Sequence, residues 1–288
     1  MPETAPVAIV TGASRGAGRG IAIALGSHGC TVYVTARTVK PGDHPLPGTV
    51  GETAAAVTAA GGKGIAVACD HKDDEAVAAL FEQVLAEEGR IDILVNNAAL
   101  IHDENNTPEN FWEKPLKLTD LIDVGIRSGY VASWHAAKQM VKQDHGLIVF
   151  TSASGAAHYS MGPTYGAHKA SMDKMAHDFA VDFRNGGVNV QAVSIWMGAL
   201  ATDRLLAMID ADPEKFGHLR DQLETPEFTG HVIWGLYNDP ELAHLSGKTL
   251  IGADMARKYG ITDEGGRQPP SCGDHGITPL EYHAQIIR

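Results

Sequence analysis

The sequence predicts an α/β fold in which helices cover both faces of a doubly wound parallel sheet of about seven strands. Apolar, β-branched runs alternate with segments of helical periodicity, and such alternation implies right-handed crossovers between parallel strands. The first of these runs leads directly into a glycine-rich turn. No repeat or low-complexity segment divides the chain, so we expect residues 1–288 to form a single domain. The runs predicted as strands are residues 7–10, 31–35, 64–68, 91–95, 147–151, 189–195 and 249–251.

The turn after the first predicted strand, residues 11–18, reads Thr-Gly-Ala-Ser-Arg-Gly-Ala-Gly. Gly12 permits a tight turn, Gly16 lets the backbone approach a pyrophosphate, and Gly18 allows close packing of the following helix. The free amides at the start of that helix favour an anion. We therefore predict a phosphate-binding turn that includes Ser14, although an ordinary strand-to-helix turn is the alternative.

Tyr165 and Lys169 are four residues apart in a segment predicted as a helix, which places a phenol beside an ammonium group. A nearby cation favours phenolate, so we expect Lys169 to lower the pKa of Tyr165 from its usual value of about 10. Such a tyrosine could act as a general acid or base near neutral pH. The same spacing also occurs on solvated helix faces, and the glycine turn is what favours the catalytic interpretation.

These motifs, in this order and spacing, resemble the short-chain dehydrogenase/reductase superfamily across residues 5–255. The resemblance implies a Rossmann-type fold with a small substrate lid, and hydride transfer between a nicotinamide and a carbonyl or alcohol carbon. The family's serine lies thirteen residues before the tyrosine, at Ser152 here. The implied roles are proton donation by Tyr165, a hydrogen bond from Ser152 to the developing oxyanion, and ribose binding by Lys169.

The same resemblance implies further cofactor-binding residues. Asp70, after the third predicted strand, corresponds to the family's acid beside the adenine. Asn96 and Ala98 belong to the Asn-Asn-Ala-Ala motif after the fourth strand, and Asn96 should secure the sheet through hydrogen bonds to the backbone. Thr202 ends the motif after the sixth strand and should contact the nicotinamide or the pyrophosphate.

Three positions depart from the family pattern. Ala99 and Met197 replace a glycine and a proline, and Gly125 replaces an asparagine that usually holds a water in the proton relay to the lysine. The carbonyl of glycine or a bound water could substitute for it. Residues 110–115 and 256–260, together with Gly125, resemble the subgroup represented by dehydrogenase/reductase SDR family member 1. The alternative function is a scaffold or redox sensor that binds the cofactor with little or no turnover.

Charge after the second predicted strand favours NADP(H), with NAD(H) as the alternative. NAD-dependent enzymes of this fold usually carry an acid there for the ribose hydroxyls. Ala36 stands in its place, and Arg37 follows. Together with Arg15 in the glycine turn, this arginine could hold a 2′-phosphate through charge-assisted hydrogen bonds. Residues 41–48, rich in proline and glycine, form either a plain connector or a shield over the cofactor.

Composition argues against several other classes of protein. The chain has 23 basic and 35 acidic residues and a net charge of −12, which disfavours nucleic acid and anionic membranes as partners. Fourteen histidines without HExxH or paired Cys/His spacing predict no metal site. Cys30, Cys69 and Cys272 are far apart, which is typical of a reducing compartment. Without a signal peptide or a membrane-length apolar run, the chain is expected to be cytoplasmic.

Two segments have more than one interpretation. Residues 203–230 occupy the position of the family's mobile substrate lid, and an amphipathic helix packed on the body is an equal alternative. The C-terminal extension, residues 253–288, is predicted as an extended arm, and packing on a neighbouring subunit is one interpretation of it. The family resemblance implies a homodimer or homotetramer formed through the fourth and fifth helices.

The predicted substrate is a hydrophobic ketone, aldehyde or secondary alcohol. This prediction depends on the aromatic and histidine side chains that are candidates for the pocket wall. The same side chains could equally belong to the core. The candidates are Trp112, His158, Tyr159 and Trp196.

Overall fold

The centre of the molecule is a sheet of seven parallel strands, seen in a computed structural model that describes residues 5–287. The strand order is β3-β2-β1-β4-β5-β6-β7, and every neighbouring pair is parallel. This order confirms the predicted doubly wound, Rossmann-type fold. All predicted strands form, with ends that shift by one or two residues. They are β1 Val7–Thr11, β2 Thr31–Ala36, β3 Lys63–Ala68, β4 Ile93–Asn96, β5 Gly146–Ser152, β6 Val190–Trp196 and β7 Thr249–Ile251.

Helices cover both faces of the sheet. Helices α1, α2, α8 and α10 contribute to the apolar core on one face, and α3, α4 and α5 to the core on the other. A distorted turn, Ile122–Arg127, precedes α4. The helices are α1 Gly16–Ser27, α2 Val50–Ala59, α3 Asp74–Glu88, α4 Ser128–Gln143, α5 Pro163–Gly186, α6 Asp203–Ala211, α7 Pro213–Phe216, α8 Phe228–Tyr237, α9 Leu242–Leu245 and α10 Gly252–Tyr259.

The two cores follow from the alternation of side chains along buried strands. In β1, Ala8 and Val10 contribute to the core beneath α1, whereas Val7 and Ile9 contribute to the opposite core. Parallel strands buried on both faces need such continuous apolar runs. Each buried valine or isoleucine contributes about 1.5–3 kcal/mol, so the central strands provide a rigid base for the loops at their carboxyl ends.

The C-terminal extension packs on its own chain. Arg257 of α10 pairs with Asp274 at 2.7 Å, and the ring of Tyr282 lies 4.8 Å from the ring of His177 on α5. An additional contact with a neighbouring subunit stays a prediction. Within residues 5–287, none of the helices combines the length and the apolarity needed to cross a bilayer.

Candidate active site

A cavity of about 530 Å³ opens at the carboxyl ends of the first six strands. Ligands of doubly wound folds bind at this edge of the sheet. Two of the predicted site residues, Ser152 and Asn96, lie within the described range but are not part of the cavity wall. The predicted residues that do line the cavity are Gly12, Ser14, Arg15, Gly16, Gly18, Arg37, Asp70, Ala98, Tyr165, Lys169 and Thr202.

The glycine turn leaves its backbone open toward the cavity. Gly12 has φ +65° and Gly16 has φ +55°, backbone conformations that L side chains rarely adopt. A Cβ atom at Gly18 would lie 2.4 Å from the Asn97 side chain and 2.5 Å from the carbonyl oxygen of Gly12. This open, glycine-lined backbone fits the pyrophosphate of a dinucleotide.

Asn97, rather than Asn96, ties the fourth strand to the glycine turn. Its Nδ2 atom donates to the carbonyl oxygens of Thr11 at 2.9 Å and Gly12 at 3.2 Å. Asn96 instead donates to Ser133 of α4 at 2.9 Å, inside the protein. The prediction that Asn96 makes the contacts beside the cofactor is therefore wrong. Successive residues of a strand point to opposite sides, and the sequence alone did not distinguish the two asparagines.

Arginine side chains converge on the end of the cavity formed by the second strand and the glycine turn. Arg15 donates from Nε to the carbonyl oxygen of Pro47 at 2.9 Å and from Nη2 to that of Gly48 at 2.9 Å. These bonds hold the predicted surface loop against the cavity, where His44 forms part of the wall. Burial, and then the charges of Arg15, Arg204 and Arg37, lower the pKa of His44.

Two neighbouring residues after β3 also face this end of the cavity. Asp70 accepts a hydrogen bond from the backbone amide of Lys72 at 3.0 Å. His71 was not anticipated from the sequence; it is buried and lies 2.8 Å from the hydroxyl of Thr35. Burial lowers the pKa of His71 to about 4, so its imidazole is neutral at physiological pH.

Tyr165 and Lys169 share the cavity wall, and burial changes the pKa of both. The Nζ atom of Lys169 lies 5.4 Å from the centre of the Tyr165 ring and donates to the carbonyl oxygen of Thr151 at 3.2 Å. Burial lowers the pKa of Lys169 to about 8 and raises that of Tyr165 to about 12. The predicted lowering of the Tyr165 pKa is therefore wrong for this structure, because desolvation of the phenolate dominates. Tyr165 is protonated at neutral pH, the form that donates a proton.

Ser152 points away from the cavity. Its hydroxyl is fully buried and donates to the backbone carbonyl oxygen of Lys169 at 3.1 Å. A hydrogen bond from Ser152 to a substrate oxygen requires rotation about its Cα–Cβ bond, so this role stays a prediction. The nearby Ser154 pairs instead with the exposed ring of His158 at 3.0 Å.

Gly125 lies in a distorted turn before α4, against the ring of His168. Its φ of 153° and ψ of −82° are outside helical values, and a Cβ atom there would be 2.8 Å from Cδ2 of His168. The imidazole thus occupies the space that a side chain at Gly125 would need. Burial and the charge of Lys169 lower the pKa of His168 to about 2, so the ring is neutral.

The apolar wall of the cavity consists of aliphatic and methionine side chains. The predicted aromatic wall is wrong: Trp112 is 69% exposed, Tyr159 is 78% exposed, and Trp196 is buried in the protein. His158 is also exposed and, like the other three, is absent from the cavity wall in the described part of the chain. The aliphatic and methionine side chains that line the cavity include Leu46, Leu100, Ile101, Val124, Met161, Met197, Leu200, Leu205 and Met208.

The predicted lid contributes to this wall through α6. Leu205 and Met208 line the cavity, whereas Ile209 is buried against the body. The hydroxyl of Thr202 accepts from the amide of Leu205 at 3.3 Å and so caps the helix. Closure of this helix over a substrate stays a prediction.

A buried carboxyl that the sequence did not indicate supports the loop between β6 and α6. The Oε2 atom of Glu224 accepts a hydrogen bond from the amide of Gly198 at 3.1 Å. The backbone amide of Glu224 donates to the carbonyl oxygen of Ala199, and its carbonyl oxygen accepts from the amide of Ala201. Its other carboxylate oxygen is buried without a hydrogen-bond partner. Burial raises the pKa of Glu224 to about 7. No sequence pattern indicated Glu224, because it contacts this loop only in the tertiary structure.

No group of three or more His, Cys, Asp or Glu side chains in residues 5–287 is arranged to hold a metal ion. The cysteines are free thiols. Burial raises the pKa of Cys30 to about 12 and that of Cys69 to about 11, which keeps both thiols protonated and unreactive.

The phosphate-binding turn and the Tyr–Lys pair at one sheet edge define an oxidoreductase of the dinucleotide-binding α/β class. The chain belongs to the short-chain dehydrogenase family, whose model matches residues 6–208. This family binds NAD(P), and the chain is accordingly an oxidoreductase that acts on CH–OH groups.

Comparison with known proteins confirms the predicted subgroup. Dehydrogenase/reductase SDR family member 1 of Mus musculus is 39% identical over 280 residues, which cover 92% of this chain and 85% of that protein. Its Homo sapiens counterpart is 39% identical over 277 residues, with the same coverage. The crystal structure of a short chain dehydrogenase from Mycobacterium thermoresistibile has a TM-score of 0.73 and 26% identity, covering 90% of this chain and 89% of that one.

Proposed function

We propose that this protein is an NADP(H)-dependent reductase or dehydrogenase for a hydrophobic ketone, aldehyde or secondary alcohol. The observation that carries the proposal is the position of Tyr165 and Lys169 on the wall of an apolar cavity that continues to the glycine turn. A nicotinamide, when bound, supplies or accepts the hydride. The protein's own residues bind it, orient the substrate and move the proton.

The proton step depends on the charge states of the Tyr–Lys pair. With a pKa of about 12, Tyr165 holds its proton at neutral pH and can donate it to a carbonyl oxygen. Lys169, with a pKa of about 8, is mainly a cation at pH 7. Its positive charge stabilises the phenolate that donation leaves behind, because opposite charges attract strongly at a buried site.

Several cationic groups near one end of the cavity support the preference for NADP(H). Arg37 is exposed at the cavity mouth, and Arg15 and Arg204 line the same region. Burial, and then the charges of Arg204 and Arg37, lower the pKa of Arg15, so an anion placed among these guanidinium groups relieves repulsion. A ribose 2′-phosphate is such an anion, and NADP(H) carries it whereas NAD(H) does not.

The substrate preference is proposed from the cavity wall. Aliphatic and methionine side chains offer dispersion contacts and few hydrogen bonds, which favours an apolar carbonyl compound. Protonated, buried thiols at Cys30 and Cys69 are compatible with the proposed cytoplasmic location.

A second copy of the chain is the proposed partner, through α4. Tyr130, Trp134 and Val141 are exposed large apolar residues at positions that share one side of this helix. Lys138 lies on the same side and places its Nζ atom 3.3 Å from the centre of the Trp134 ring, so a cation–π contact accompanies the apolar side chains. Burying this stripe against another copy removes it from water, which favours a homodimer or homotetramer.

The test measures NADPH oxidation against a panel of hydrophobic ketones, aldehydes and quinones, with NADPH binding followed by fluorescence. Tyr165→Phe should abolish turnover and keep binding, because only the proton donor is removed. Tyr159→Phe is the matched control, since this tyrosine is exposed and outside the cavity wall. Equal turnover in Tyr165→Phe and wild type would refute the assigned proton donor. Tight binding without any turnover in the wild type would favour the scaffold or sensor function.

The preference for NADP(H) is tested by comparing the Kd values for NADPH and NADH. Arg37→Ala should raise the Kd for NADPH about 10–100-fold, the range for loss of one charged hydrogen bond, and leave the Kd for NADH unchanged. Arg19→Ala, an exposed arginine of α1, serves as the control for loss of a positive charge. An equal loss of affinity for both nicotinamides would contradict the proposed 2′-phosphate contact.

A further inference from the structure

A buried carboxylate lies behind Lys169, on the side away from the cavity. Asp173 is one turn further along α5 and is only 4% exposed. Its Oδ1 atom accepts from Ser194 Oγ at 2.6 Å, and its Oδ2 atom accepts from Trp196 Nε1 at 2.8 Å. The Ser194 hydroxyl and the Trp196 indole N–H both donate, so each carboxylate oxygen has its own hydrogen-bond donor. This arrangement suits an ionised carboxyl group.

Lys169 needs a counter-charge, because burying an isolated cation is costly. Lys169 is only 5% exposed, and its Nζ atom donates to the uncharged backbone carbonyl oxygen of Thr151. Among the described residues, Asp173 is the group whose charge raises the pKa of Lys169 against the effect of burial. Burial raises the pKa of Asp173, and the hydrogen bonds that it accepts and the charge of Lys169 oppose this shift.

Three other titratable side chains around this pair are neutral at pH 7. Burial raises the pKa of Tyr165 to about 12, and burial with the charge of Lys169 lowers that of His168 to about 2. Tyr282 of the C-terminal extension has its pKa raised to about 12 by burial and by the charges of Asp173 and Asp178. Among these buried groups, Asp173 is therefore the one that can carry a charge opposite to that of Lys169.

The predicted catalytic serine bonds the same part of α5. The Ser152 hydroxyl donates to the backbone carbonyl oxygen of Lys169 at 3.1 Å. Asp173 acts by its charge on Lys169, and it is not itself part of the cavity wall.

We propose that Asp173, one turn beyond Lys169 on α5, is a positioning residue whose carboxylate, held by Ser194 and Trp196 of β6, is the counter-charge of the buried Lys169 ammonium group. Gly125 has no side chain, and the adjacent His168 is neutral, so neither supplies a charge near Lys169. The inference rests on the proposed function, in which Lys169 acts as a cation.

Asp173→Asn is the direct test, with pH profiles of kcat/KM and of the Kd for NADPH measured between pH 6 and 10. Loss of the carboxylate should lower the pKa of Lys169 by about one unit, moving the alkaline limb from near pH 8 to near pH 7. This shift corresponds to an activity loss of about fivefold at pH 8 and about 1.1-fold at pH 6. A purely structural role would lower activity by the same factor at every pH.

Two variants separate the charge from other effects. Asp178→Asn removes an exposed carboxylate from the same helix and should leave the alkaline limb unchanged. Trp196→Phe keeps the charge of Asp173 but removes one of the bonds that hold it, and should move the limb from near pH 8 by less than Asp173→Asn does. An alkaline limb in Asp173→Asn that coincides with that of the wild type would overturn the proposal.

Unfolding free energies keep the proposal testable if Asp173→Asn folds poorly. Adding Lys169→Met to Asp173→Asn removes the stranded cation, so the double variant should be more stable than Asp173→Asn alone. A double variant no more stable than Asp173→Asn would overturn the charge pairing. Failure of the proposed function is distinguishable, because it would appear in the wild type as absent NADPH binding or turnover.

Discussion

Glu224 links the stability of the protein to pH near neutrality. Burial raises its pKa from 4.5 to about 7; the charge of Asp263 acts in the same direction, and the Gly198 amide and Arg267 oppose it. The native protein therefore keeps a proton that the unfolded chain loses. The stability from this proton is fully present below pH 4.5 and is lost as the pH rises through about 7. At 1.36 kcal/mol per unit, the upper limit is about 3 kcal/mol.

The test is Glu224→Gln, which removes the titration while its amide oxygen can still accept from Gly198. Between pH 5 and 8, the wild type should lose about 2–3 kcal/mol more unfolding free energy than the variant. Urea unfolding at each pH, followed by tryptophan fluorescence, gives these values. Other titrating groups are common to both proteins, so the difference isolates Glu224. Glu214→Gln, which changes an exposed carboxyl, should follow the wild type. Parallel curves for wild type and Glu224→Gln would refute the reasoning.

Three further predictions concern other parts of the structure. Gly125→Asn should destabilise the protein by about 2–4 kcal/mol, since the new side chain meets His168 and strains the backbone. Adding His168→Ala to Gly125→Asn should recover part of this lost unfolding free energy in urea unfolding. If the effects of the two substitutions on the unfolding free energy simply add, the contact is contradicted. Gly18→Ala should raise the Kd for NADPH at least about tenfold by displacing Asn97, and an unchanged fluorescence titration would argue against this. Trp134→Lys should shift the oligomer toward monomer in light scattering after gel filtration; a monomeric wild type would show the proposed interface to be wrong.

The local parts of the fold and site could be predicted from the sequence, because each depends on residues close together in the chain. Apolar β-branched runs identified the strands, and the glycines after β1 identified the phosphate-binding turn. The four-residue spacing of Tyr165 and Lys169 placed both side chains on one side of α5, where they line the cavity together. Helical and strand periodicity carries this information without any long-range contact.

The tertiary structure decided the chemistry of these groups. Desolvation raises the pKa of Tyr165, reversing the direction expected from its neighbour Lys169, and such burial depends on residues from several distant segments. Asp173 finds its donors on β6, and Glu224 finds its own on the loop after that strand. The aromatic side chains predicted for the pocket also lie elsewhere, because which side chains reach a cavity depends on how loops pack. Periodicity specifies which way a residue faces on its own element, whereas packing specifies what that residue meets there.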